Sequence, residues 1–151
     1  MTETPRTAQQ WLALLVGRWH TEGWTREEAG SPAERIDAID TYEWLPGNAA
    51  LLHLIDATVG NQKVEGAEII GYDAAPGHYI TLYFGTDGAA GYDATLAEVD
   101  GAPVWEMRNE RTRFLGTFNA DGGIITGHWE QLGDDSDWQP WMDITLTKEA
   151  S

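Results

Sequence analysis

Cysteine is absent from the 151 residues of this chain. Its absence excludes disulfide bonds, thiolate metal sites and cysteine nucleophiles. Serine is scarce, occurring at Ser31, Ser136 and Ser151, and there is no G-x-S-x-G sequence to support a serine nucleophile. Glycine-rich phosphate-binding loops are missing too, because the glycines stand at predicted turns and inside predicted strands.

Basic residues are few. The chain has 9 Lys plus Arg against 25 Asp plus Glu, which gives a formal net charge of -16. A surface of this charge repels phosphate backbones and anionic lipids, so we expect no nucleic-acid partner and no membrane partner. The one basic cluster, RNERTR at 108–113, is interrupted by Glu110.

Long hydrophobic runs are also missing. The first ten residues, MTETPRTAQQ, contain no apolar stretch of the kind found in secretory signals, and no run approaches the length of a membrane span. We therefore expect a cytoplasmic protein.

Tryptophan and tyrosine, by contrast, are plentiful. Eight Trp and five Tyr accompany a hydrophobic content of 42%. Such side chains bury large areas and each carries one polar atom, which predicts a core or a pocket rich in aromatic rings.

The hydrophobic pattern predicts one all-β domain over residues 1–151. A short N-terminal helix within 1–16, capped by Thr7, ends at Gly17, and the segment 17–148 then alternates polar and apolar residues between turn sequences. The predicted strands are 17–28, 34–45, 49–59, 64–73, 78–84, 89–99, 103–110, 112–118, 123–132 and 138–147. About ten antiparallel strands in sequence order most simply close into an up-and-down β-barrel, because closure removes exposed edges.

Alternation also predicts which side chains point inward. The second strand places Asp40 and Tyr42 inside. In the third strand both faces are apolar, and we favour the face that carries His53.

Strands of this length predict a cavity for a small molecule. The expected ligand-binding side chains are Tyr42, His53, Tyr92, Trp105, Met107, Phe114, Trp129 and Met142, with Asn109 as a further polar group. If the second and third strands form a hairpin, Asp40 lies near His53, and the two are the candidate acid–base pair. A purely structural hydrogen bond between them is the alternative interpretation.

Two ends of the chain resemble a known superfamily. A short helix followed by Gly17-Arg18-Trp19 resembles the G-x-W entry of the calycins, which include lipocalins, fatty-acid-binding proteins and nitrobindin-like barrels. The segment FLGTFNADGGIITGHWE, with the closing strand WMDITLTK, resembles a hairpin of uncharacterised bacterial lipocalin-like proteins. The middle segment GYDAAPGHYITLYF resembles the G-Y-D…Y pattern of the same proteins. The resemblance runs from about Trp11 to Lys148 and implies a barrel with an internal cavity. It also implies that Trp19 packs inward and plugs one end of the barrel, and alternation then places Trp24 outside.

We therefore predict a protein that binds a small hydrophobic or aromatic molecule, neutral or weakly polar, without a cofactor. One alternative is a cofactor-independent isomerase, cyclase or hydratase that uses His53 and Asp40. The other is a haem-binding protein like nitrobindin, which the resemblance would place on a late-strand histidine, here His128, although alternation puts His128 outside. The four histidines show no metal-ligand spacing, so no metal site is predicted. Homodimerisation is left open, through an aromatic patch of Trp24, Trp138 and Trp141.

Overall fold

The computed structural model of the protein describes residues 5–28 and 30–150. Its elements are α1 (Ala8–Leu12), β1 (Gly17–Thr25), β2 (Arg35–Trp44), β3 (Ala50–Val59), β4 (Gln62–Asp73), β5 (His78–Gly85), β6 (Gly88–Val99), β7 (Ala102–Arg108), β8 (Thr112–Phe118), β9 (Ile124–Leu132) and β10 (Trp138–Lys148). The limits of the predicted domain, residues 1 and 151, lie outside the described residues.

The ten strands close into one antiparallel barrel. Each strand pairs with its neighbours in the chain, and β1 pairs with β10 to complete the ring. The predicted fold class is confirmed. Because every strand has two partners, the barrel has no free edge that could pair with another chain.

The N-terminal helix is shorter than predicted. Thr7 caps it as expected, in a reciprocal capping box with Gln10. After Leu12 the backbone continues in turns, with hydrogen bonds between residues three apart from Leu14 to Val16. These turns tighten the chain so that it reverses into β1 at Gly17, whose φ of 138° is readily adopted only by glycine.

Trp19 closes one end of the barrel, as predicted. Its side chain is fully buried, its indole N–H donates to the Leu15 carbonyl at 2.8 Å, and its ring meets the edge of Phe118. The Tyr79 hydroxyl donates to the Ala8 carbonyl at 2.8 Å and so holds α1 across this closed end. The closed end is therefore a packed plug and not a ligand pocket.

The inward and outward faces agree with the predicted alternation. On β2 and β3 the residues Asp40, Tyr42, Leu51 and His53 are buried, whereas Trp24 on β1 is 51% exposed. The uncertain choice on the third strand is thus settled in favour of His53 inside. Among the described residues, no helix is long and apolar enough to cross a membrane.

Candidate functional site

A chain of polar side chains crosses the interior wall formed by β1 to β4. The Thr21 hydroxyl donates to Asp40 at 2.5 Å, His53 Nε2 lies 2.7 Å from Asp40 Oδ1, and His53 Nδ1 lies 2.9 Å from Glu68 Oε1. All four side chains are buried. We call Thr21, Asp40, His53 and Glu68 the polar wall.

His53 carries a proton on each ring nitrogen over a wide pH range. Burial by itself lowers its pKa, but hydrogen bonds to Asp40 and Glu68, together with their negative charges, outweigh burial and raise the pKa to about 9. At neutral pH an imidazolium ion therefore lies between two carboxylate groups. Both N–H groups donate, one to each carboxylate.

Tyr42 covers the imidazolium. Its ring stacks on His53 with centroids 4.0 Å apart and an interplanar angle of 11°. A tyrosine face is electron-rich, so the stack favours the charged form of the histidine. Burial and the charges of Asp40 and Glu68 raise the pKa of Tyr42 well above its usual value, which keeps the phenol neutral.

The predicted contact between Asp40 and His53 is confirmed, but Glu68 was missed. The sequence signal for Glu68 is the two-residue turn Gly60-Asn61, which pairs Val59 with Gln62 and thereby aligns His53 with Glu68. With both nitrogens donating, His53 has no free lone pair to abstract a proton at neutral pH. The role of Asp40 and His53 as an acid–base pair stays a prediction.

Aromatic rings line the opposite side of the interior. Trp129 on β9 meets Phe114 at 5.0 Å, Tyr92 at 5.8 Å and Trp141 at 6.0 Å between ring centroids. We call Tyr92, Phe114, Trp129 and Trp141 the aromatic wall. The ring of Phe114 lies against the barrel wall because Gly116 and Gly127 carry no side chains there; a Cβ at Gly127 would come within 2.5 Å of that ring.

The barrel opens where one side of its wall is short. β6 has 12 residues, whereas β7 and β8 have 7 each, and the pairing of β6 with β7 begins only at Asp93–Arg108. Beyond that pair β6 stays paired with β5, but on its β7 side the bond to the described residues is from Asn109 Nδ2 to the Gly91 carbonyl, at 3.1 Å.

A cavity of about 550 Å³ lies in this gap, and we call it the mouth. It is lined by Ala89, Ala90, Tyr92, Asn109, Glu110, Arg111, Thr112, Gln131 and Leu132. A second depression, of about 500 Å³, lies beside it and includes Ile80 and Leu82 of the outer face. Tyr92 belongs both to the mouth and to the aromatic wall, so the mouth borders the aromatic wall.

The predicted ligand-binding residues fall into three groups. Tyr92 lines the mouth, as does Asn109. Trp129 and Met142 are half-buried at the same end of the barrel. The others are buried among neighbouring side chains: Tyr42, His53, Trp105, Met107 and Phe114. Ligand contact by any of them stays a prediction.

The histidines do not fit a haem. His128 is exposed on the outer face and lies 2.7 Å from Asp143, and both nitrogens of His53 are taken by carboxylates. Neither offers a free nitrogen inside the barrel for an axial bond to iron. Among residues 5–28 and 30–150, no group of three or more His, Asp or Glu is placed to hold a metal ion.

The three tryptophans of the predicted dimer patch have different surroundings. Trp24 is exposed on β1, Trp138 lies under the guanidinium of Arg113, and Trp141 packs on Trp129. The apolar outer surface lies elsewhere, across β3 to β5, where Leu54, Ile69, Leu82 and Phe84 are among the exposed side chains. Homodimer formation stays a prediction.

A closed ten-strand antiparallel barrel, plugged at one end by an N-terminal helix and a buried tryptophan, defines the chain as an all-β barrel protein with a calycin-like fold. Within that class it belongs to DUF1579, described as a family of proteins of unknown function, whose model matches residues 4–148. The family therefore covers nearly the whole chain and brings no assigned activity with it.

Two solved structures share this fold. One is the S-type phycobiliprotein lyase CPES from Guillardia theta, with 12% identity, a TM-score of 0.65 and coverage of 97% of this chain and 94% of the lyase. The other is Rv2717c from M. tuberculosis, with 12% identity, a TM-score of 0.71 and coverage of 97% and 100%. No curated protein matches the sequence. At this identity the likeness shows the fold alone.

Proposed function

We propose that this protein binds a small apolar or aromatic molecule, which enters the barrel through the mouth and packs against the aromatic wall. The observation that carries the proposal is the gap beside β7 and β8, where a cavity of about 550 Å³ meets Tyr92. Small-molecule sites are typically concave, largely apolar and equipped with a few polar groups, as this end of the barrel is.

The shared fold supports the proposal. One of the two similar structures is named as a phycobiliprotein lyase, so this fold carries a specific activity in that protein. The binding function is favoured over the isomerase, cyclase or hydratase alternative, because His53 holds both its protons between Asp40 and Glu68. Binding requires only the cavity and its orienting groups.

The test is binding of N-phenyl-1-naphthylamine, a neutral apolar dye whose fluorescence rises in apolar surroundings. We expect one dye per chain. In the variant Ala90→Trp the added indole fills the mouth, and we expect about tenfold weaker binding or more. The matched control is Ala97→Trp, which places the same ring on the exposed outer face of β6.

Equal dye binding by wild type, Ala90→Trp and Ala97→Trp would contradict the proposal, since the dye would then sit elsewhere. No binding to the wild type would contradict it as well. Unchanged far-ultraviolet circular dichroism in both variants shows that the barrel still forms. Native mass spectrometry of protein purified from its own host then identifies the molecule retained.

A further inference from the structure

One buried hydroxyl group in the barrel lacks a partner. Thr81 on β5 is fully buried, and its Oγ1 makes no hydrogen bond in the structure. Buried polar groups are nearly always satisfied, because an unpaired one keeps its desolvation penalty. An orphaned hydroxyl therefore calls for a partner that is not part of the chain.

Glu68 also has an unused hydrogen-bond acceptor. Its Oε1 accepts from His53, whereas Oε2 accepts no hydrogen bond from any described residue. A carboxylate has about four acceptor positions. The side chain of Glu68 is only 5% exposed. Among the described residues Thr81 Oγ1 is the buried side-chain atom without a partner, so the free oxygen of Glu68 keeps some accessible surface that a ligand can reach.

Thr81 lies between the polar wall and the aromatic wall. It is the direct cross-strand partner of Tyr92, and its other partner, Ile70, follows Glu68 by two positions on the same face of β4. Diagonal neighbours of this kind lie about 7–8 Å apart. Burial raises the pKa of Tyr92 against the lowering effect of its hydrogen bond with Thr112, and the negative charges of Glu68 and Asp87 add to the rise.

The charges at this place do not cancel. Two acidic side chains, Asp40 and Glu68, face a single basic side chain, His53, so the formal charge of the cluster is negative. Among the described residues, no Lys or Arg forms an ion pair with Asp40 or Glu68. A positive group would balance the cluster, and an anion would be repelled.

The aromatic wall adds a second preference for positive charge. Tyr92, Trp129 and Trp141 are half-buried, and their rings meet near-perpendicularly in the pairs centred on Trp129. The faces of such rings attract cations, and the attraction grows when the cation is desolvated. A negative carboxylate on one side and electron-rich rings on the other side favour the same class of ligand.

We propose that the ligand of this barrel is an organic cation, an amine protonated at neutral pH with an apolar or aromatic body. Its ammonium group donates to Glu68 Oε2 and Thr81 Oγ1, and its body packs on Tyr92 and Trp129. The proposal rests on the proposed binding function and narrows it, since a neutral ligand satisfies neither the net charge nor the free carboxylate oxygen.

Three probes of nearly equal size test it by isothermal titration calorimetry at pH 7. They are 2-phenylethylamine, which is cationic, 2-phenylethanol, which is neutral, and 3-phenylpropionate, which is anionic. We expect the amine to bind at least about tenfold more tightly than the alcohol, and the carboxylate to bind most weakly. Equal affinity of amine and alcohol would overturn the cation proposal and leave the binding function intact. If none of the three binds while the neutral dye binds, the cation proposal also fails.

Two variants locate the ammonium group. Glu68→Gln removes the charge at constant size, and we expect it to abolish the preference for the amine over the alcohol. The matched control is Glu65→Gln on the exposed face of the same strand. A preference that survives Glu68→Gln, or that is lost equally in Glu65→Gln, would contradict the assignment.

Thr81→Val covers the case in which Glu68→Gln does not fold. Valine has the shape of threonine without the hydroxyl, so we expect the melting temperature to rise while the affinity for the amine falls severalfold. A rise in both melting temperature and affinity would show that the hydroxyl serves no ligand.

Discussion

On one side of the barrel interior, β1 to β4 bury Thr21, Asp40, His53 and Glu68; on the other, β6, β8, β9 and β10 carry the aromatic wall. The aromatic wall is stabilised by area removed from water, a non-directional effect that tolerates changes of shape. The polar wall is stabilised by directional hydrogen bonds between its buried polar groups. In a low dielectric these bonds are strong, and a group that loses its partner carries a large desolvation penalty. Substitutions in the polar wall should therefore lower the free energy of unfolding more than substitutions in the aromatic wall.

Removal of the His53 imidazole should have the largest effect on the stability of the polar wall. His53→Ala leaves Asp40 and Glu68 facing each other without a positive charge, and we expect a loss of about 3–5 kcal/mol in the free energy of unfolding. Urea denaturation measures it. The control is His128→Ala on the exposed face, for which we expect a change within about 0.5 kcal/mol. Similar losses for the two variants would show that the buried cluster has no special role.

Alkaline pH should weaken the polar wall alone. The pKa of His53 is about 9 in the folded protein and about 6.5 when unfolded, so its contribution is fully present below pH 6.5. It is lost as the pH rises from 6.5 through 9, and the total is about 3 kcal/mol. Urea unfolding from pH 6 to 10 measures the decline. His53→Gln, which does not titrate, should lack this decline, and a decline of equal size in that variant would contradict the assignment.

A substitution on the aromatic wall should cost less. Gly127→Ala places a Cβ about 2.5 Å from the Phe114 ring, which must turn away, and we expect a loss of about 1–3 kcal/mol. Gly71→Ala is the control, because the nearest atom to its new Cβ is 3.7 Å away. Thermal denaturation compares them. If both variants melt alike, the close approach of Phe114 to the wall is not important.

The smallest effect has the opposite sign. Thr81→Val removes an unpaired buried hydroxyl, and we expect a gain of about 1 kcal/mol in the free energy of unfolding. Thr21→Val is the matched control, because that hydroxyl donates to Asp40 and its loss should be destabilising. A stabilising Thr21→Val would show that the hydrogen bond to Asp40 contributes little.

Much of the fold was predictable from local patterns. Turn sequences such as LPGN and DGAP mark the ends of strands, and the alternation between them predicts the strand count and the inward side of Asp40 and Tyr42. The inward side of Trp19 followed from the family resemblance, and the choice of the His53 face of β3 needed the structure. The helix was overestimated, because the apolar spacing of Leu12 and Leu15 is the same in a helix and in the tight turns that follow it. The turns lead the chain into β1 at Gly17, and the spacing of apolar residues does not distinguish them from helix.

The candidate site was predictable only in part. Asp40 and His53 could be paired by counting outward from the turn between β2 and β3. Glu68 could have been found by the same count across Gly60-Asn61, but its neighbours Ala67 and Ile69 made the other face of β4 look equally suited to the core. Without Glu68, one ring nitrogen of His53 looks free to act as a base. In the structure both ring nitrogens lie within hydrogen-bond distance of a carboxyl oxygen, one from Asp40 and one from Glu68.

Turn chemistry and alternation are properties of neighbouring residues, and they were enough to predict an acidic all-β chain of about ten strands with Asp40 and Tyr42 inside. The tertiary structure was needed to place Glu68 in the polar wall and to show that Thr81 Oγ1 has no partner among the described residues. It was also needed to show that β7 and β8 end before β6 does, so that the barrel opens beside them. These features depend on the register and length of strands across the closed sheet, and no local pattern specifies how far one strand extends past another.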